Sequence, residues 1–166
     1  MYSLRRFAVR RAGEVEQLYR LLNRALDAVR PLARRLGYDR LERPVAAIER
    51  LCKGLAFDCR MCGQCSLSST GMSCPMNCPK SMRNGPCGGV RADGSCEVDS
   101  RMACVWIDAR HGARRMRAGE LSRTPSAPLE HQHAGRSSWL RVLRAEAWPA
   151  PLVTEAAATE AGAGGR

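Results

Sequence analysis

The sequence predicts a small, loop-rich cysteine domain stabilised by metal, preceded by an α-helical hairpin and followed by a short helix and a disordered tail. Eight of the nine cysteines fall within residues 59–104, which are rich in glycine, proline and asparagine and nearly lack large apolar side chains. Such a segment cannot offset its chain entropy by burial alone. Apolar residues at helical spacing precede it, and residues 149–166 are rich in alanine and glycine. Thiols are therefore the groups available to hold the cysteine segment together.

These patterns divide the 166 residues into four predicted regions. They are an N-terminal α-helical region (1–54), a cysteine-rich metal-cluster domain (55–108), a basic helix with a linker and an anchor segment (109–148), and a disordered tail (149–166).

The first long helix is expected from about Ala12 to Leu36, with Gly37 as its C-terminal stop. Pro31 is expected to kink this helix or to open a second one. The apolar residues recur at spacings of three and four, which places them on one face. They are Val15, Leu18, Leu22, Ala25, Val29, Leu32 and Leu36. Two interpretations stay open: this face packs within a hairpin and on the cysteine core, or it docks on another protein.

A second helix is expected to begin at Pro44 and to end near Gly54, which completes the hairpin. Cys52 lies on this helix, seven residues before the cysteine-rich stretch. We expect Cys52 to be a buried small apolar residue and not a metal ligand.

The C-terminal part predicts two further helical segments with a linker between them. Residues 105–123 fit a short amphipathic helix with several arginines, and residues 124–135 have linker composition. His131 and His133 in that linker have no cysteine or acid at metal spacing, so we expect both to be solvated. Residues 137–148 predict a short anchor helix with Ser137 or Ser138 as its N-cap.

The net charge of +11 comes mainly from arginine and is unevenly distributed. Residues 1–50 hold 12 Arg and 6 acids, residues 109–166 hold 9 Arg and 5 acids, and residues 51–108 are nearly neutral. Two basic arms therefore bracket a neutral cysteine core, which permits an anionic partner without selecting one. Because the arginines avoid the cysteines and no aromatic stacking platform accompanies them, nucleic-acid binding is disfavoured.

The sequence contains no span of about 20 apolar residues and no apolar stretch after its N-terminal arginines. We therefore expect a cytoplasmic protein without a membrane partner, in a compartment where disulfides are rare. An odd number of cysteines also disfavours complete disulfide pairing. Metal ligation is the expected role of the thiols.

The cysteine spacing is C-x2-C-x2-C-x8-C-x3-C-x8-C-x8-C-x7-C, and it defines eight candidate metal ligands. They are Cys59, Cys62, Cys65, Cys74, Cys78, Cys87, Cys96 and Cys104. A tight three-cysteine loop is typical of iron–sulfur clusters, which take a fourth ligand from elsewhere. Zinc more often uses two separated C-x2-C pairs. Eight thiolates match two [4Fe–4S] clusters, with Zn²⁺ as the alternative.

We expect Cys59, Cys62 and Cys65 to share one cluster, completed by a later cysteine such as one of the two that precede proline, Cys74 or Cys78. The remaining cysteines would form the second. No dinucleotide loop, phosphate loop, carboxylate pair or Cys–His nucleophile is present in the sequence. The chain alone does not look like a complete enzyme.

The run from Phe57 to Trp106, with all eight of these cysteines and both Cys-Pro pairs, resembles the C-terminal cysteine-rich domain of methylenetetrahydrofolate reductase. The same domain occurs in the small iron–sulfur partner subunit of some bacterial reductases of this kind. With RPVAAIERLCKGL before it and SSWLRVLR after it, the resemblance covers Pro44 to Arg144.

The resemblance implies an accessory role beside a flavin-containing (β/α)8 barrel that reduces methylene- to methyl-tetrahydrofolate. The clusters would pass electrons to or from that barrel subunit, which would carry the FMN or FAD and perform hydride transfer to the folate. The alternative is a zinc-stabilised structural or interaction module without redox activity.

Overall fold

The structure is a computed structural model that describes residues 2–117 and 126–144. These residues form five α-helices and three short 3₁₀ turns. The α-helices are α1 (Tyr2–Arg10), α2 (Ala12–Leu36), α3 (Tyr38–Phe57), α4 (Val105–Ala113) and α5 (Ser138–Leu143). The turns span Leu67–Ser69, Pro75–Asn77 and His131–His133. The tail predicted for residues 149–166 lies outside the described residues.

Helices α2 and α3 form the predicted hairpin, and Gly37 separates them. Gly37 has φ +85°, and its N–H donates to the Ala33 carbonyl at 3.1 Å, so the predicted stop is confirmed. The predicted start of the second helix at Pro44 is wrong, because α3 begins at Tyr38. Pro31 and Pro44 both lie inside continuous helices and are exposed, so water can bond the carbonyls that lack an N–H donor.

Helix α1 is not anticipated from the sequence, and it packs between α3 and α4. Ala8 of α1 and Ala12 of α2 join a core that also contains residues from later in the chain, namely Phe57, Leu67, Met72 and Met116. Arg5 of α1 is buried, with Nη2 4.0 Å from Oδ2 of Asp108 on α4. The N-terminal helix, the cysteine segment and the residues after it therefore share one core.

The cysteine segment between α3 and α4 contains 3₁₀ turns and two isolated β-bridges, Val90–Cys96 and Ser95–Ala103. Side chains tie it to the neighbouring helices. Asn77 Nδ2 donates to the Phe57 carbonyl at 2.9 Å, and Ser73 Oγ donates to the Val105 carbonyl at 3.1 Å. That this segment is a cysteine-rich domain stabilised by metal stays a prediction.

Two glycines bring the cysteine segment against α4. Gly71 has φ +62°, and a Cβ built on Gly112 of α4 would lie 1.9 Å from the Gly71 carbonyl oxygen. Only a residue without a side chain allows the two backbones to approach this closely.

Helix α5 docks on α2 and α3 through Leu140 and Leu143, which pack with Ala33. Ser137 is its N-cap, since the Ser137 hydroxyl accepts from the Leu140 N–H at 3.2 Å; the predicted capping residue is confirmed. Tyr38 donates to the Leu143 carbonyl at 3.2 Å and fixes the other end of the helix. No helix within the described residues is long and apolar enough to cross a membrane.

Candidate metal centre

Four of the eight predicted ligands line one cavity: Cys59, Cys62, Cys65 and Cys74. The end of α3 sets the position of the first, because Asp58 adopts a left-handed conformation and the Cys59 N–H donates to the Lys53 carbonyl at 3.3 Å.

The loop that carries the next two cysteines turns at Gly63. This glycine has φ +73°, and a Cβ there would lie 2.4 Å from the His133 carbonyl oxygen. Cys74 reaches the same cavity from the N-cap of the second 3₁₀ turn.

Each thiol has a defined polar contact or a buried setting. The Met61 N–H donates to Cys59 Sγ at 3.3 Å, and Cys62 Sγ donates to the Gln64 carbonyl at 3.6 Å. Burial, with smaller contributions from the charges of the other three cysteines, raises the pKa of the Cys74 thiol to about 12, although a hydrogen bond from the Met76 backbone opposes the change. Burial also raises the pKa of Cys59, assisted by the charges of Cys65 and Cys62. Burial and the neighbouring cysteines thus favour the protonated thiols of Cys59 and Cys74 in the metal-free chain.

A buried lysine supplies positive charge at the wall of this cavity. Lys53 Nζ donates to Glu49 Oε1 at 2.7 Å and to Ser138 Oγ at 2.8 Å, and both ionised side chains are 2% exposed. Burial lowers the Lys53 pKa, but the negative charges of its neighbours, Cys65 and Glu49 among them, outweigh burial and hold the pKa above its usual range. Lys53 is therefore a fixed cation beside the thiols.

Aromatic rings frame this cation. Lys53 Nζ lies 5.5 Å from the centroid of the Tyr19 ring and 5.1 Å from that of Trp139, within cation–π range. The Tyr19 hydroxyl is 3.3 Å from Cys65 Sγ. Burial raises the pKa of Tyr19, followed by the charge of Cys65, so the phenol stays protonated and can donate to the sulfur.

The other four predicted ligands lie further along the cysteine segment. Cys87 Sγ is 3.6 Å from Glu97 Oε1, and Glu97 also accepts from Lys80. The hydrogen bond to Glu97 raises the pKa of Lys80, as do the charges of Cys87 and Cys96. In the described part of the chain, no side-chain hydrogen bond joins Cys78 or Cys104 to this pair. Only the first four predicted ligands are thus gathered around one cavity.

All nine cysteines are free thiols in the structure. Across residues 2–117 and 126–144, no group of three or more His, Cys, Asp or Glu side chains converges on one point as the ligands of a single ion do. The four thiols of the first set therefore lie around the cavity wall without meeting at a common centre.

Cys52 corrects one prediction, because it is exposed and not buried. The buried residues of that helix turn are Glu49 and Lys53, which the sequence analysis did not single out. Their spacing of four residues with opposite charges was the available signal.

His133 is half-buried, with Nε2 3.1 Å from Glu130 Oε2, so the prediction that it is solvated is only partly met.

Residues 38–132 match the family model described as Methylene-tetrahydrofolate reductase C terminal. The chain belongs to this family. The matched range contains all eight predicted ligands together with α3 and α4, whereas α1, α2 and α5 lie outside it. Membership confirms the resemblance seen in the sequence and links the chain to methylenetetrahydrofolate reductase. No curated protein and no solved structure matches the chain.

Proposed function

We propose that the chain is an accessory iron–sulfur subunit that transfers electrons to or from a flavin-dependent methylenetetrahydrofolate reductase. The observation that carries this proposal is the arrangement of Cys59, Cys62, Cys65 and Cys74 around one cavity beside the buried cation of Lys53. Membership of the Methylene-tetrahydrofolate reductase C terminal family supports the choice of enzyme.

The cysteine spacing is the reason for proposing an iron–sulfur cluster and not a single zinc ion, because zinc more often uses two separated C-x2-C pairs. The thiolates of a cubane bind four different irons, so they belong at separate points around a shared space. The cavity is narrow, with about 20 Å³ of free volume, so its lining residues must move apart when a cluster is bound.

In this proposal the four cysteines hold a [4Fe–4S] cluster as thiolates, which requires each of them to lose its proton on assembly. When bound, such a cluster accepts and releases one electron at a time. Lys53 offsets the negative charge of the thiolates from a buried position, and the Tyr19 hydroxyl donates to Cys65 Sγ. Both interactions stabilise the reduced, more negative state and so raise the reduction potential.

We assign Cys78, Cys87, Cys96 and Cys104 to a second [4Fe–4S] cluster. Lys80 and Arg91 supply positive charge in this part of the loop, where Lys80 bonds to Glu97 and Arg91 Nη2 donates to the Glu97 carbonyl at 3.3 Å. Contact between Cys87 and Glu97 must give way to a cysteine–iron bond on assembly. This assignment rests on the count and spacing of the cysteines.

The remaining chemistry belongs to the partner. The FMN or FAD and the folate would be bound by a barrel subunit, and hydride transfer from the reduced flavin to the folate would occur there. None of the nine cysteines forms a disulfide, and eight of them are the proposed thiolate ligands. Both features suit the reducing cytoplasm, which is where we place this function.

Substitution of single cysteines tests the ligand assignment. Cys74→Ser should lower iron and acid-labile sulfide to about half in anaerobically purified protein, because one of two clusters loses a ligand. Cys52→Ser is the matched control and should keep the full content, since Cys52 is exposed and outside the cavity. Equal iron in both variants would overturn the assignment of Cys74.

Electron transfer is tested by rapid mixing of the dithionite-reduced chain with the oxidised flavoprotein under anaerobic conditions. The proposal predicts bleaching of the flavin absorbance together with reoxidation of the cluster absorbance. A stable complex in which the flavin stays oxidised, with zinc in place of iron, would instead establish the structural-module alternative.

A further inference from the structure

Helices α1, α2 and α3 enclose an apolar groove of about 450 Å³. Its walls are largely aliphatic and aromatic side chains. They include Leu4 and Phe7 of α1, Val15 and Leu18 of α2, and Leu55 and Phe57 of α3. Cys52 also lines the groove, which explains why this thiol is exposed.

Several of the side chains that line the groove are exposed to solvent. Phe7 is 59% exposed, Leu18 is 67% exposed and Leu55 is 46% exposed. The apolar surface continues along the hairpin through further exposed side chains, namely Leu21, Val29, Leu32 and Leu36 on α2 and Ile48 and Leu51 on α3. A contiguous exposed apolar surface of this kind marks an interaction site. The face that the sequence predicted to pack or to dock is thus uncovered in the described structure.

The net charge of the helices that form this surface indicates what can cover it. Residues 1–57 contain 12 arginines, one lysine and six acids. Each of the six acids is in an ion pair with a group of this chain. The pairs are Glu14–Arg11, Glu16–Arg20, Asp27–Arg30, Asp39–Arg144, Glu42–Arg144 and Glu49–Lys53. No carboxylate in this half of the molecule is left over to balance the other arginines.

Six exposed arginines of the hairpin have no carboxylate within 4.0 Å among the described residues. They are Arg24, Arg34, Arg35, Arg40, Arg43 and Arg50. In a dimer of this chain, residues 1–57 of the two copies would bring a net charge of +7 against +7, from 13 basic and six acidic residues in each. Like charges brought together in this way disfavour self-association. The complementary surface is acidic.

The shape of the surface distinguishes a protein from a membrane. A helix that binds a lipid surface lies flat in it with its apolar face turned into the lipid, whereas this apolar surface is a recess between three helices. Amphipathic helices bind to proteins by placing apolar side chains into grooves of this type. The lining also lacks the series of exposed aromatic rings on which nucleic-acid bases stack.

We propose that this groove docks an amphipathic helix of a partner protein, with apolar anchors in the groove and carboxylates facing the hairpin arginines. The groove and the cysteine cavity share Lys53 and Phe57 as lining residues. A helix bound here would lie one layer of side chains from the thiols, which is a suitable position for an electron-transfer partner. The proposal rests on the proposed function only for the identity of that partner.

Photo-crosslinking in the native host tests the proposal. A benzophenone amino acid replaces Leu55 in the groove, and Val98, which is 55% exposed in the cysteine segment, is replaced in a matched control. Mass spectrometry of the crosslink at residue 55 should identify an acidic, amphipathic helical peptide of another protein, and the control should not capture it. Crosslinks to a second copy, to residues 145–166 of the same chain or to nothing would each overturn the proposal.

Binding of the captured protein to two variants of opposite charge at residue 18 gives the second test. Leu18→Glu and Leu18→Lys both remove an exposed apolar anchor, so both should fold normally. Leu18→Glu should weaken binding at least about tenfold more than Leu18→Lys, because it places a carboxylate against an acidic partner. Val98→Glu should bind as the unsubstituted chain does. Equal affinity of the two Leu18 variants, or binding to anionic phosphatidylglycerol vesicles that Leu18→Glu abolishes, would overturn the proposal.

These tests separate the two proposals. If the captured protein has the acidic helix but is not a folate-reducing flavoprotein, the docking surface stands and the proposed function fails. If a flavoprotein co-purifies but crosslinks only through residue 98, the proposed function stands and the groove is not its site.

Discussion

The buried pair of Glu49 and Lys53 gives the sharpest prediction about stability. The Glu49 carboxylate is 1% exposed and accepts from four donors. They are Lys53 Nζ at 2.7 Å, Ser138 Oγ at 2.5 Å, Ser137 Oγ at 2.6 Å and the Trp139 N–H at 3.3 Å. The Glu49 side chain thus neutralises the buried lysine and accepts hydrogen bonds from the first residues of α5.

Glu49→Gln keeps the shape of the side chain but removes its charge and leaves Lys53 buried without a counter-charge. Breaking a buried ion pair from one side costs about 3–5 kcal/mol. The amide can still accept through its one carbonyl oxygen, so we expect a loss near the lower end, about 3 kcal/mol. Because the carboxylate also holds the N-terminus of α5, undocking of α5 should accompany the loss.

The free energy of unfolding is measured by anaerobic urea titration followed by far-ultraviolet circular dichroism, and amide hydrogen exchange is measured for residues 137–144. Exchange in that peptide should accelerate in Glu49→Gln. The double variant Glu49→Leu/Lys53→Met is the control and should lose less stability than Glu49→Gln, since it leaves no unpaired buried charge. A loss below about 1 kcal/mol, with unchanged exchange, would refute this reasoning.

Further predictions address the helix contacts and the thiols. Gly112→Ala should destabilise the fold by several kcal/mol in thermal unfolding, because its Cβ would lie 1.9 Å from the Gly71 carbonyl oxygen. Gly54→Ala is the matched control: with open space around its Cβ, it should stabilise the fold by up to about 1 kcal/mol. Tyr19→Phe should lower the reduction potential of the proposed cluster by about 20–60 mV, from loss of one hydrogen bond of about 0.5–1.5 kcal/mol to sulfur; an unchanged potential in EPR-monitored titration would contradict this. In the metal-free chain, alkylation at pH 8 should modify the exposed thiols of Cys52 and Cys65 before those of Cys59 and Cys74, because burial raises the pKa of the latter two; peptide mass spectrometry reads the order.

The sequence predicted the helices best where local signals agree. The apolar spacing of α2, the glycine at its end and the serine at the start of α5 each report a local interaction, and all three are observed. The start of α3 was misplaced because proline favours the first turn of a helix, while the chain here continues through Pro44 on an exposed face.

The missed features depend on contacts between residues far apart in the chain. Helix α1 packs with Arg5 buried against Asp108, about a hundred residues away, and paired arginines at the N-terminus give no local sign of burial. Likewise, Lys53 and Tyr19 become part of the candidate site only because α2 and α3 pack beside the cysteine loop. The cysteine spacing indicated a shared site for the first three thiols, but Cys74 could be chosen over Cys78 only from the fold.

The central claim is that the cysteines hold iron–sulfur clusters, and metal analysis of the anaerobically purified full chain tests it most directly. Two [4Fe–4S] clusters correspond to about eight iron and eight acid-labile sulfide per chain, in a brown protein that gives an EPR signal on reduction. Iron and sulfide near these values are the predicted result. A colourless protein with stoichiometric zinc and no sulfide would contradict the account.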